Sequence, residues 1–271
     1  METDFPHTKD KGFDAFTLKM LAIIGMTMQH TAIALGPLIP VALHFPLQLG
    51  GGFTFPIMAM LLVEGYKHTR NVKKYMLRLF VFAAVSQVPH MMTFSDATIE
   101  SPLPGINIML TLFVGLLLLY MHDNMKSRGL FWFLFIVISL ATFMFDWGVI
   151  GPIMILLYHI ATGGKMTRTI VPILAAWFNT VVILFIILIV GILTTLGDLI
   201  EYVEPEYLPE IGEVLRDLAG LMFPVGMLAV IPFVRNYNGQ RGRSNNGIKY
   251  MFYIFYPLHL LILGVLRMVL L

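Results

Sequence analysis

The sequence predicts an all-α protein: a polytopic membrane bundle of about nine transmembrane helices with a cytoplasmic N-terminus. Three observations predict it. Hydrophobic residues make up 58% of the 271 and charged residues only 13%, against roughly 25% charged in soluble domains. Apolar runs close to the roughly 20 residues that cross a bilayer recur along the whole chain. Lys and Arg collect in alternate connections between these runs, as they do in loops held on the cytoplasmic side. The expected location is the cell membrane, as one membrane domain over 1–271, and no nucleic-acid partner is expected. The chain has no Cys, which excludes disulfides, thiolate metal sites and a cysteine nucleophile.

The first span is expected at 16–36. It follows a short tail of mixed charge, read as cytoplasmic over 1–15, so no cleavable signal peptide is expected. Pro37 to Gly52 (PLIPVALHFPLQLGGG) holds many Pro and Gly and is expected to be irregular or re-entrant. Such backbone survives at membrane depth only where protein or trapped water satisfies it. Further spans are expected at 53–66, 75–92, 105–121, 130–145, 147–162, 169–197, 217–234 and 250–270. Asp146-Trp147-Gly148 is the expected turn between the fifth and sixth spans.

Charge placement orients the bundle. Lys67, Arg70, Lys73 and Lys74 follow span two, Lys126 and Arg128 follow span four, and Lys165 and Arg168 follow span six. Arg235, Arg241, Arg243 and Lys249 surround the last connection. The intervening connections lack Lys and Arg except for Arg216, which lies in a strongly acidic segment, 198–217, read as a solvated extracytoplasmic cap. No internal repeat is evident, whereas many transporters are built from two related halves.

Polar residues inside the spans are the candidate functional groups. Lys19 and His30 are eleven residues apart, which puts them within about 20° on one helix face and about 16 Å apart along the axis. This stripe suits an elongated anionic ligand with its reactive end inward. From spacing alone the more ordinary reading is a snorkelling Lys and a His bonded to a neighbouring helix. Gln29 points about 100° away from it. Glu64 and His68 can share a face, and Arg70, Lys73, Lys74 and Arg78 form a basic patch able to hold phosphates or lipid headgroups. Glu64 needs a partner such as Arg70, Arg78 or His68. Gln87 and His90 lie in span three, Asn107 and Thr111 in span four, and Tyr253, Tyr256 and His259 in span nine beside Pro257. For Gln87, Asn107 and Thr111 interhelical hydrogen bonding is the ordinary use. Asp146 has a ready explanation as a helix cap. No metal site is expected, because His30, His68 and His259 fall at different expected depths with few carboxylates to join them.

The order of these pieces resembles the TraX family, named for an inner-membrane protein that acetylates the N-terminus of conjugative pilin. The matching stretches are LKMLAIIGMTMQH, FTFPIMAMLLVEGYKHTRNVKKYMLRLFVFAAVSQVP, NIMLTLFVGLLLLY, DWGVIGPIMILLYHI and FYIFYPLHLLIL. The Lys19-x10-His30 spacing is also similar to a first-helix signature of membrane acyltransferases that modify sugars. The resemblance implies acyl transfer, expected to be of acetyl, from cytoplasmic acyl-CoA to an amine or hydroxyl of a protein, peptide or envelope acceptor. Lys19, Arg70, Lys73, Lys74 and Arg78 would then hold acetyl-CoA, and His30 would act as base or acyl carrier. His68 with Glu64, or His259 with Tyr256, would supply the second group. Gln29, Gln87, Asn107 and Asp146 would complete a polar pocket. The family pattern usually has Asp at the position of Gln29 and often Glu at that of Gln87. A transporter or lipid-handling protein, and a non-catalytic accessory protein, are the other classes this composition admits.

Overall fold

The computed structural model describes residues 12–94, 105–161, 165–201, 216 and 218–271. The tail up to residue 11, most of the acidic 198–217 segment and the side chains of Lys165 and Arg168 lie outside that description. Among the described residues all regular structure is helical: α1 (Ala15–Ala34), a 3-10 turn (Gly36–Leu38), α2 (Val41–His68), α3 (Val72–Phe94), α4 (Ile108–Asn124), α5 (Arg128–Ala141), α6 (Ile150–Ile160), α7 (Lys165–Glu201), α8 (Met222–Ala229), α9 (Ile231–Arg235) and α10 (Asn246–Leu270). Side-chain caps start several of them. Asp14, Asn107, Ser127 and Asn245 accept from the backbone N–H of Thr17, Met109, Leu130 and Ile248, which satisfies donors that a helix end leaves open.

α2, α3, 169–186 within α7, and α10 are each long and apolar enough to cross a bilayer. Their outer faces carry large apolar side chains in the open: Phe178 is 65% exposed and Val269 75%, as is Phe133 of α5 at 62%. An apolar surface of this extent suits lipid, not water. The ends of α2, α4 and α6 meet through Tyr66, Asp123 and His159, and Glu64 shares a cavity with Tyr237, so the basic connections that follow these residues gather at one end of the bundle. There Phe13 pairs with Tyr237, while Ile106 pairs with Phe145 at the other end.

The segment expected to be irregular, Pro37 to Gly52, is mostly helical, because α2 runs unbroken from Val41 through Pro46 and Pro56 to His68. Only residues 35–40 depart from regular helix. The physical reason is that its glycines are contact surface and not breakers: small residues let membrane helices approach closely. A Cβ on Gly25 of α1 would strike the Gly50 carbonyl, and one on Gly226 of α8 would strike the Leu49 carbonyl. Gly51 is covered by Gln29, and Gly52 by the backbone around Phe223 and Gly226. α1 and α8 therefore flank α2 at nearly backbone contact, while α10 lies along α3. The expected eighth span divides at Val230 into α8 and α9, just before Pro232, which lacks the N–H needed to continue a helix.

Filling the seam should unfold the bundle locally. Gly25→Val or Gly226→Val is expected to cost about 3 kcal/mol, the upper part of the range for overpacking, and to lower the thermal midpoint of the detergent-solubilised protein. Gly129→Ala, where an added Cβ meets nothing within 4 Å, should leave that midpoint unchanged or raise it slightly.

Candidate functional site

At the end of the bundle away from the basic connections, α1 and α3 bring His30 and His90 to one cavity, and α10 sets His259 against His30. His30 Nδ1 lies 2.8 Å from His259 Nε2, and the two rings stack at 5.0 Å with 9° between their planes. The sequence expectation set these two at different depths; the structure corrects it. α1 and α10 cross at a register that neither helix's own periodicity contains. His259 Nδ1 lies 2.9 Å from the Phe255 carbonyl. A carbonyl only accepts, so a neutral His259 carries its proton on Nδ1 and presents Nε2 as an acceptor. His30 Nδ1 must then donate, which leaves His30 Nε2 unprotonated, the form a general base needs.

The cavity holds ≈ 400 Å³ and is lined by Gln29 and His30 of α1, Gly51 and Thr54 of α2, His90 and Phe94 of α3, and Asp146 with Trp147. Phe94 presents itself edge-on to both His30 and His90, at 5.0 and 4.8 Å. His90 Nε2 is 3.3 Å from Asp146 Oδ2, and His90 Nδ1 is buried without a partner. Asp146 does not cap α6, contrary to the sequence expectation, since α6 starts with no side-chain cap. Its backbone is held on both sides instead: its N–H donates to the Ile106 carbonyl at 2.8 Å, and its carbonyl accepts from Thr111 at 2.6 Å. The next residue, Trp147, has φ 67° and stacks on Phe55 at 4.4 Å. A bulky side chain in that left-handed region is strained, and the ring stack is what holds it there. Tyr256 lies 5.6 Å ring-to-ring from His259, with its hydroxyl buried beside the Ile108 backbone.

The other expected residues fall elsewhere. Gln87 accepts at 2.7 Å from Asn107 Nδ2 and donates at 2.9 Å to the Gly105 carbonyl. Asn107 also caps α4 and reaches the Ala83 carbonyl at 2.8 Å. Both are therefore committed to joining α3 to α4. Glu64 and His68 sit at the basic end, away from His30. Glu64 pairs with Lys67 at 3.4 Å and His68 at 3.9 Å, and with neither Arg70 nor Arg78. Glu64 lines a second cavity of ≈ 520 Å³ with Lys67, Tyr158 and Tyr237. The Tyr237 phenol is pushed up by burial and then by the Glu64 and Asp14 carboxylates, so it stays protonated. Of the five expected phosphate-binding cations, Arg70, Lys73 and Lys74 are exposed. Lys19 and Arg78 turn inward onto adjacent residues of α10, Lys19 over the Phe252 ring at 5.2 Å and Arg78 onto Tyr253.

Comparison with known proteins fits this frame. A family model described as TraX protein matches residues 15–267. The chain belongs to the TraX family. It is also 30% identical over 257 residues to a probable fimbrial assembly protein FimC, serogroup H1, of Dichelobacter nodosus, an alignment covering 93% of this chain and 94% of that protein. No solved structure matches. The TraX match takes in every residue of the His30 cavity. His90 was visible in the sequence as a polar residue in span three, but its pairing with Asp146 across 56 positions has no sequence signal. Removing the Gln87 acceptor leaves buried Asn107 short of a partner, so Gln87→Ala should destabilise by about 1–3 kcal/mol. Thermal unfolding in detergent measures it, and Asn107→Ala combined with Gln87→Ala should cost less than the sum.

Proposed function

We propose that this TraX-family protein is a cell-membrane acyltransferase that moves an acyl group, acetyl by preference, from acyl-CoA to an amine or hydroxyl of an envelope or pilus-related acceptor. The observation that carries this is the His259–His30 chain of hydrogen bonds, which leaves one imidazole nitrogen unprotonated beside a cavity. In this reading the nine-span bundle has its basic end in the cytoplasm, so the His30 cavity faces outward, toward an envelope acceptor. The CoA phosphates sit at the basic end on Lys19, Arg70, Lys73, Lys74 and Arg78, and the pantetheine arm runs along α10. From Phe252 to His259 that helix climbs about 10 Å, past Tyr256.

His30 Nε2 removes the proton from the acceptor N–H or O–H as that atom attacks the thioester carbonyl. The C–S bond then breaks, the proton passes to the departing thiolate, and CoA thiol leaves while the acceptor keeps the acyl group. His259 is the positioning residue: it holds the His30 tautomer and spreads the positive charge that forms. Fimbrial assembly in the relative's name supports a second reading, an assembly factor of the same fold without turnover.

Because the chain has no Cys, released CoA thiol can be followed without protein background, with hydroxylamine as a surrogate acceptor. His30→Ala should lower thiol release about 10²–10⁴-fold while acetyl-CoA still raises the thermal midpoint. Undiminished release by that variant removes His30 as base. No release and no thermal shift with the wild type would leave the assembly reading. Single cysteines test the orientation: Asn71→Cys and Lys126→Cys should label from the cytoplasmic side, and Leu38→Cys from outside.

A further inference from the structure

At the basic end, apart from the His30 cavity, three helix ends bring together side chains with no part in the acyl-transfer reading. His122 and Asp123 lie in the last turn of α4, His159 in the last turn of α6 and Tyr66 in the last turn of α2. Asp123 Oδ1 is 2.8 Å from His122 Nδ1 and 2.9 Å from His159 Nε2, and these three atoms all lie within 4.8 Å of one another. The other carboxylate oxygen accepts a 2.8 Å hydrogen bond from the Tyr66 hydroxyl. The two imidazoles stand edge to face, 88° between planes, so their nitrogens reach the carboxylate from different directions. His159 Nδ1 is buried and unpartnered.

We propose that His122, Asp123 and His159 form a divalent transition-metal site of the Zn²⁺ class. Zinc binds imidazole and carboxylate at roughly 2.0–2.2 Å, which puts neighbouring tetrahedral donors a little over 3 Å apart. The carboxylate–imidazole distances here, 2.8 and 2.9 Å, need to open by about half an ångström to meet that spacing. Two imidazoles with one carboxylate, and no thiolate, select against both oxygen-seeking Mg²⁺ or Ca²⁺ and thiophilic Cu⁺. Tyr66 on the free carboxylate oxygen is the kind of outer partner that orients a ligand. Three protein donors leave a fourth position for water or an anionic group. The ion would tie α4 to α6 and, through Tyr66, to the end of α2. It would thereby fix one side of the second cavity, which Glu64 and Tyr158, the neighbour of His159, both line.

Tag-free, full-length protein in detergent, stripped with chelator, should bind one Zn²⁺ per chain in a calorimetric titration. Co²⁺ should bind there with the visible absorption of a four-coordinate centre. Tyr66→Phe should weaken Zn²⁺ binding about 10-fold, and Asp123→Asn and His159→Gln should weaken it further, with helical content unchanged. Absence of saturable one-to-one binding overturns the proposal, as does undiminished binding by both ligand variants. Where a variant fails to fold, X-ray absorption of the Zn²⁺-loaded wild type decides. Two imidazole nitrogens with a carboxylate oxygen support the site, and any other protein ligand set overturns it.

Discussion

Gly25 of α1 rests against the Gly50 carbonyl of α2, and Gly226 of α8 rests against the Leu49 carbonyl on the same helix. Lipid tails are as apolar as leucine, so helices in a bilayer gain little from burying apolar surface against each other. Close approach and shape must do that work. Two backbones in near contact leave one rotational setting for each helix. On α1 that setting turns Lys19 and His30 toward α10, where they meet Phe252 and His259. The histidine pair thus depends on a seam on α1's other neighbour, α2, to which His30 itself contributes no hydrogen bond.

Polar groups away from water must find partners within the protein. Around the far end they do so with few spares. Thr111 serves the Asp146 carbonyl, Gln87 and Asn107 serve each other and the α3 and α4 backbone, and Thr93 donates to the Leu260 carbonyl at 2.8 Å. One exception lines the His30 cavity: His90 Nδ1, buried and unpartnered. A buried donor or acceptor without a partner carries a penalty of about 1–3 kcal/mol.

Much of the bundle was legible because bilayer crossing imposes a length, and each expected span overlaps a helix to within a few residues at most ends. The exception, Pro37 to Gly52, failed because glycine has two meanings. In soluble chains it breaks helices, while in a packed membrane helix it is the surface on which a neighbour lies. The same-face relation of Lys19 and His30 follows from helical period alone and survives in the structure. The partners of that face do not follow from it. Where α10 crosses α1, and which turn of α6 meets the end of α4, depend on packing that single-helix patterns do not encode. His122, Asp123 and His159 therefore raised no signal: two are adjacent in the chain, and the third lies 36 positions from Asp123.

Gln29 and Gln87, set where the resemblance in sequence leads to an expectation of carboxylates, have contacts of their own. An acidic group at position 87 would still accept from Asn107, but it would lose the bond that Gln87 donates to the Gly105 carbonyl. Gln29 lies over Gly51 and lines the cavity as a neutral group. Neither is needed to set the His30 tautomer, because the Phe255 carbonyl does so through His259. A carboxylate behind an imidazole stabilises the cation that forms when the base takes a proton; a second imidazole does so less strongly. The acidic side chain that remains at this cavity is Asp146, set on the opposite histidine, His90. The two histidines of the cavity are thus set by different partners: His30 by the second imidazole of His259, and His90 by the carboxylate of Asp146.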